Sequence, residues 1–519
     1  MDLTSSHNMN RVRFLPRMNQ SARWFAAIAG LFLAAFAEGA EAKPNLLLIL
    51  ADDLGYGDVH CLNPERSKIP TPHLDRLASE GMVFTDAHSG SSVCTPTRYG
   101  LLTGRYAWRT RLQRGVLDGG NAEPLIAADR LTIGAFLKSQ GYDTACIGKW
   151  HLGFQSRVSP DAAPTGKGRE RAGLPLGATI IGGPTTRGFD RFLGVSNART
   201  MASFIANDRV IEQIDPIEVL PRLEKEAVAY LKERATPAND GKPFFLYLPL
   251  TSPHTPIVPA APWQGRSGLG DYADFVMQTD AVIGQVLTAL KEQGLAQNTL
   301  VLISSDNGCS PAAKVTELEK QGHFPSGPYR GYKADIWEGG HRVPFLVRWP
   351  GKVQPGSRCD ATMCLTDVFA TSADLLGADL PETAAEDSFS LLPHLLGETT
   401  APARGAVVHH SIDGRFAIRE GDWKLAFCPG SGGWGKPRDA DALREGSPSV
   451  QLYKLETDPS ESTNVGPAHP EVVVRLTDLL DRYVADGRST PGARQQNDVE
   501  VRVIPPNPPK SAPKPKPVP

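Results

Sequence analysis

This chain of 519 residues has little excess charge of either sign. Lysine and arginine total 55 against 57 aspartates and glutamates, so no basic surplus is available to hold a nucleic-acid backbone or an anionic membrane. Seven cysteines are too few for a disulfide scaffold in a chain this long, and their odd number leaves at least one unpaired. Past the first forty residues no apolar run approaches the ~20 residues that a bilayer span requires. No Asn-x-Ser/Thr sequon follows Asn19, which weakly favours a prokaryotic source. What the chain has in abundance is glycine and proline, 50 and 44, which imply many loops between regular elements.

The N-terminus reads as a targeting segment. Arg11, Arg13, Arg17 and Arg23 precede an apolar run from Trp24 to Ala37, and Ala40-Glu41-Ala42 offers a small-residue cleavage site. Residues 1–42 are therefore set aside as a signal peptide, which predicts a periplasmic or secreted protein with no membrane span after cleavage. An uncleaved anchor is the alternative.

From Pro44 onward one grammar repeats: a buried-looking strand ends in polar, chemically able residues. Pro44 to Ala51, apolar but for Asn45, reads as a strand covered on both faces and ends in Asp52-Asp53. Tyr142 to Ile147 ends in Gly148-Lys149-Trp150-His151, and Phe244 to Leu248 ends in Thr251-Ser252-Pro253-His254. Thr299 to Ile303 ends in Ser304-Ser305-Asp306-Asn307. Helical patterns lie between them, Pro72 to Glu80 and Tyr272 to Leu290 among them. The fold class is α/β: a large, mostly parallel sheet flanked by helices. Its ligands are expected at the carboxyl ends of the strands.

One further stretch, Cys94-Thr95-Pro96-Thr97-Arg98 followed by Thr103-Gly104-Arg105, would begin a helix just after the cysteine. Thr95 would be its cap and Pro96 its first residue. Alone, these residues read as a buried thiol before an ordinary capped helix. Asp52, Asp53, Asp306 and Asn307 are hard oxygen ligands suited to Ca²⁺, with Mg²⁺ possible. Arg98, Lys149, His151, His254 and Lys333 would surround the same point with positive charge and donors. Such a site suits a tetrahedral oxyanion ester.

These blocks, together with Gly331-Tyr332-Lys333 and Glu338-Gly339-Gly340-His341-Arg342-Val343-Pro344, resemble the type I, formylglycine-dependent sulfatases of the alkaline-phosphatase superfamily. The resemblance runs from about residue 44 to 350 and more loosely to 485. It implies that a formylglycine-generating or equivalent maturation enzyme oxidises Cys94 to Cα-formylglycine. It also implies metal ligation by Asp52, Asp53, Cys94, Asp306 and Asn307, and catalysis by Cys94, Arg98, Lys149, His151, His254 and Lys333. Substrates would be sulfated carbohydrates or aryl sulfates. Two other readings stay open: a phosphodiester or phosphonate monoester hydrolase of the same superfamily, and a catalytically silent protein that binds sulfated glycans. Asn197, Arg199, His323 and Arg330 are the substrate-contact candidates in the loops.

The catalytic domain is expected to span 43–400. After it the polarity alternates, with a hairpin over Arg415–Phe427, a strand near Val450–Leu455 and a helix over Glu471–Tyr483. A small α+β domain over 401–490 and a Pro-rich disordered tail over 491–519 complete the organisation. Cys359 and Cys364 are close enough in sequence to pair locally.

Overall fold

The computed structural model describes residues 42–117, 122–158, 173–199 and 201–503. The expected targeting segment up to residue 41, the loop cations Lys167, Arg169 and Arg171, and the last Pro/Lys-rich residues lie outside the described residues. No described helix is long and apolar enough to cross a membrane.

A twelve-stranded sheet organises the chain. At its centre stand Thr299–Ser305, Asn45–Asp52, Phe244–Pro253, Asp143–Lys149 and Arg191–Val195, each parallel to its neighbour. Their apolar runs are explained by burial on both faces. Leu46, Leu48 and Leu50 enter the core on one side, and Leu47, Ile49 and Ala51 the core on the other. The long helices Pro216–Asn239 and Asp271–Glu292 cover one face, while Cys94–Thr103, Ile133–Ser139 and Asp367–Leu375 cover the other.

The parallel order expected from sequence holds for this centre, and the flanks are mixed. Phe345–Arg348 runs antiparallel to Thr299–Ser305. On the far side, Ser203–Ala206, Arg209–Gln213, Thr179–Ile181 and Gln155–Arg157 form an antiparallel extension. The turn at Asn207, which takes a left-handed φ of 55°, joins two of these strands directly, with no room for a crossover helix.

The C-terminal region carries a separate four-stranded antiparallel sheet: Val407–His410, Phe416–Glu420, Trp423–Ala426 and Gln451–Lys454. The helix Pro470–Ala485 packs on it, and Tyr106 and Trp108 from the larger region share its core. The described residues from Pro44 onward form one compact unit.

Three local expectations change. The helix begins at Cys94 itself, with Val93 at the cap position, because the Thr95 hydroxyl accepts from Leu117 N at 3.2 Å and is not free to cap. Residues 491–503 are not a loose tail: Arg109 donates to Asn497 Oδ1 at 2.9 Å, and Arg105 to Asp498 Oδ1 at 3.0 Å. Cys359 and Cys364 do not pair; all seven cysteines are free thiols.

Candidate active site

Parallel strands deliver their carboxyl ends to one edge, and the sequence-expected residues meet there. Asp52 and Asp53 end the central strand, with Asp306 and Asn307 beside them at the end of the next. Lys149, His151 and His254 follow from the strands on the other side. Gly148 permits this convergence: a Cβ there would lie 1.9 Å from Pro249 O on the adjacent strand. The helix Cys94–Thr103 brings Cys94 and Arg98 to the same place, and the segment after Gly331 brings Lys333.

Short polar contacts fix the geometry. Lys149 Nζ donates to Asp52 Oδ2 at 2.6 Å, and Lys333 Nζ to Asp53 Oδ1 at 2.5 Å. Arg98 donates from Nε and Nη2 to Asp306 Oδ2 at 3.0 and 2.8 Å. Asn307 Nδ2 donates to Asp53 Oδ1 at 2.8 Å. Cys94 Sγ and one oxygen each of Asp52 and Asp306 all lie within 4.8 Å of one another. Asp53 at φ 67°, His151 at φ 54° and Ala334, next to Lys333, at φ 82° take left-handed backbone conformations that cost a non-glycine residue free energy.

The acceptors left over show what the floor of this site lacks. Asp52 Oδ1, Asp53 Oδ2 and Asn307 Oδ1 are buried and accept no hydrogen bond among the described residues. A buried carboxylate oxygen without a partner is costly. Two carboxylate oxygens and one amide oxygen, all hard donors on adjoining strand ends, fit a divalent cation such as Ca²⁺ or Mg²⁺.

Burial and neighbours set the protonation states. Burial pushes the Asp52 carboxyl up, but Lys149, then His254 and Arg98, outweigh it and hold the group below its ordinary value. Asp306 moves the other way, raised by burial and by the charge of Asp52. Burial also raises the Cys94 thiol despite Lys149 and Lys333, so an unmodified cysteine here is a poor thiolate. His151 is held well below its usual range by burial, Lys149 and Arg98, and is neutral. Its Nε2 lies 3.0 Å from Leu117 O, which can only accept; that nitrogen carries the proton and leaves Nδ1, which has no partner, as a base. His254 is tied the opposite way, Nδ1 donating to Thr255 O at 2.5 Å with Nε2 turned towards Asp53 at 3.7 Å.

Above this floor opens a cavity of about 1030 Å³ lined by Cys94, Lys149, His151, His254 and Lys333. Asn197 and Arg199 reach its wall, as expected. His323 and Arg330 do not. His323 is buried between Asp58 Oδ1, at 2.8 Å, and the backbone N–H of Lys68, while Arg330 donates to Glu461 O and stacks on Trp337. Sequence reading missed Ile412 and Trp434, which line the cavity from the C-terminal region. The available signal for Trp434 was a lone aromatic within Ser431-Gly432-Gly433-Trp434-Gly435, where no core pattern calls for one.

A mixed sheet of this kind, with acids, cations and a buried cysteine at its carboxyl edge, has the alkaline-phosphatase-like architecture of the sulfatase structures it resembles. The family model described as Sulfatase matches residues 44–378. An N-acetylgalactosamine-6-O-sulfatase of Bacteroides thetaiotaomicron is 34% identical over 499 residues, covering 85% of this chain and 93% of its own. Human arylsulfatase A is 34% identical over 503 residues, covering 88% and 92%. A solved sulfatase structure from work on glycosaminoglycan metabolism by Bacteroides thetaiotaomicron aligns with a TM-score of 0.74 at 31% identity, covering 85% of this chain and 99% of that one. The chain belongs to the sulfatase family and is a sulfuric ester hydrolase.

Proposed function

We propose that this sulfatase removes sulfate from a sulfated carbohydrate outside the cytoplasm, aryl sulfates being accepted as simpler substrates. On this reading Cys94 acts as Cα-formylglycine, with a divalent cation held by Asp52, Asp53, Asp306, Asn307 and residue 94. The observation that carries it is the set of three unsatisfied oxygens beside Cys94, on a floor otherwise supplied with Arg98, Lys149 and Lys333. The names of two relatives, an N-acetylgalactosamine-6-O-sulfatase and an arylsulfatase, support both substrate classes.

Each side chain then has a task that its contacts allow. Formylglycine, when present, supplies a hydrated aldehyde with one hydroxyl to attack sulfur and a second whose deprotonation releases sulfate. The cation, when bound, supplies Lewis-acid stabilisation of charge on the ester oxygens; Ca²⁺ is favoured over Mg²⁺ because its coordination shell is more flexible. Asp306, whose carboxyl is held up by burial and by Asp52, can take the proton of the attacking hydroxyl. Arg98 and Lys149 steady residue 94 from beneath. Lys333 holds the sulfate and its bridging oxygen. His254 in its imidazolium form, which burial opposes and Asp53 and Asp52 favour, delivers the Nε2 proton to the departing alcohol. His151 Nδ1, the free acceptor of a neutral ring, takes the proton of the second hydroxyl.

Cys94 and Arg98 are both buried, so a maturation enzyme would have to read this segment before the chain closes over it. The decisive experiment is mass spectrometry of the tryptic peptide ending at Arg98, from protein co-produced with a formylglycine-generating enzyme. The aldehyde is expected at position 94, with turnover of N-acetylgalactosamine 6-sulfate or 4-nitrophenyl sulfate rising in step with its abundance. Intact thiol in fully active protein would overturn the mechanism. Much faster hydrolysis of an aryl phosphodiester than of the aryl sulfate would overturn the substrate class.

A further inference from the structure

The five residues at the cavity floor account for the sulfate end of a substrate and leave most of a 1030 Å³ cavity for the group that carries it. Much of that wall is apolar: Val93, Val116, Leu117, Met201 and Val258. Asn197, Arg199 and Asp215 add polar groups, and a single aromatic side chain, Trp434, joins them among the described lining residues.

Trp434 is 37% exposed, although indoles are usually well covered. It is not exposed because its loop is loose. Gly435 N donates to Asp335 Oδ1 at 2.7 Å, and Ile336 N to Ser431 O at 2.8 Å. Ser411 donates to Gly432 O at 2.6 Å, and Ser431 to Gly435 O at 2.9 Å. A Cβ on Gly433 would sit 2.2 Å from Ala334 O, and one on Gly435 2.5 Å from Asp335 Oδ2. Both glycines are therefore required for the loop to lie against Ala334 and Asp335, directly after Lys333. The indole between them is the one large side chain of the segment, carried on a backbone held in place and lining the cavity.

We propose that Trp434 is the stacking platform for the pyranose ring bearing the sulfate ester, and thus a specificity-determining residue supplied by the C-terminal region. A pyranose offers an apolar C–H face to an indole and hydroxyls at its edge, which matches one fixed aromatic surface together with Asn197, Arg199 and Asp215. A rigid aromatic anchor gains contact area at little cost in side-chain entropy. The ring acts on binding and not on the bond broken, so it is a specificity residue and not a catalytic one.

This inference rests on the proposed function, and the test separates the two. Cys94→Ala protein, which has no nucleophile at this position, is titrated calorimetrically with N-acetylgalactosamine 6-sulfate, 4-nitrophenyl sulfate and inorganic sulfate. Adding Trp434→Ala is expected to weaken the sulfated sugar about tenfold, equivalent to about 1.4 kcal/mol, with inorganic sulfate unchanged. Trp434→Phe should stay within about threefold of the parent, because a flat ring remains. Equal affinity for the sugar in parent and Trp434→Ala overturns the inference. Weakening confined to the aryl sulfate overturns its assignment to a sugar, and weakening of inorganic sulfate as well overturns a role limited to the ring. A parent that binds neither ester removes the proposed function, and this inference with it.

Discussion

Two of the buried charge clusters among the described residues invite comparison, and only one has the makings of an active site. The first is the floor built from Asp52, Asp53, Asp306, Asn307, Arg98, Lys149 and Lys333. The second sits where the C-terminal sheet meets the larger region and gathers Asp86, His88, Glu338, His341, Arg342, His409, Arg419, Lys424 and Glu461. By composition the second is the richer, and His88, Glu338, His341 and His409 even lie close enough to share an ion. The difference is how the carboxylates are met: His409 Nε2 and Arg342 Nε in the second cluster also lack hydrogen bonds among the described residues, but its acidic oxygens face cations. Asp86 Oδ1 takes His88, Arg342 and Arg419, and Oδ2 takes Thr362. Lys424 serves Glu338, Glu461 and His341 at 3.1, 2.8 and 3.0 Å, and Arg419 lies 3.1 Å from His88. Where an ion would have to sit, cationic side chains already stand. The first cluster leaves Asp52 Oδ1, Asp53 Oδ2 and Asn307 Oδ1 without a donor and opens onto a cavity. Unmet hard oxygens on a large cavity, more than the number of charges, mark the functional cluster.

The largest effect should come from altering an unmet acceptor. Asp53→Asn removes one charge from the proposed cation site and from the partner of Lys333, and should lower kcat by about 10³-fold or more. Bound Ca²⁺, measured by elemental analysis after gel filtration, should fall with it, while thermal stability changes little. An active, metal-loaded Asp53→Asn enzyme would erase the distinction between the clusters. The mirror-image change is Lys424→Met in the satisfied cluster. It strands Glu338 and Glu461 as buried carboxyls without their shared cation, and should destabilise the fold by about 3–5 kcal/mol in chemical denaturation. The protein that remains folded should keep kcat within about twofold of wild type. A thousandfold loss of kcat in well-folded Lys424→Met protein would mean that the second cluster also serves the chemistry.

The first cluster was legible in sequence because a strand buried on both faces leaves an uninterrupted apolar run, and the residue where it stops is conspicuous. Asp52, Lys149, His254 and Asp306 each stand at such a stop. The second cluster carries no comparable mark. Glu338, His341 and Arg342 belong to the motif block, but their partners Lys424 and Glu461 come from a later sheet and loop with no local pattern of their own. The same blindness to distant partners misdirected His323 and Arg330, whose polar groups are claimed by Asp58 and Glu461. It also hid the anchoring of Asn497 and Asp498 behind a composition rich in proline and polar residues. Trp434 was missed for a related reason: a lone indole in a glycine-rich loop has no period, and its placement depends on contact with Asp335, far away in the chain.

The smallest expected effect is also the finest test of how the second cluster is balanced. Burial pushes the Glu461 carboxyl from an ordinary 4.5 to about 7, with Lys424 pulling it back and Glu338 pushing it up again. Between those values the folded chain holds a proton that the unfolded chain releases. The stability this contributes is complete below about 4.5 and is lost as pH rises through about 7. Glu461→Gln keeps an oxygen to accept from Glu338 N, which donates to Glu461 Oε2 at 2.5 Å, but has nothing to titrate. Urea midpoints measured from about pH 5 to about pH 7.5 should therefore fall with rising pH more steeply in wild type than in the variant. Turnover should be little affected, since Glu461 lies outside the cavity. Identical slopes would show that Glu461 is ionised throughout that range.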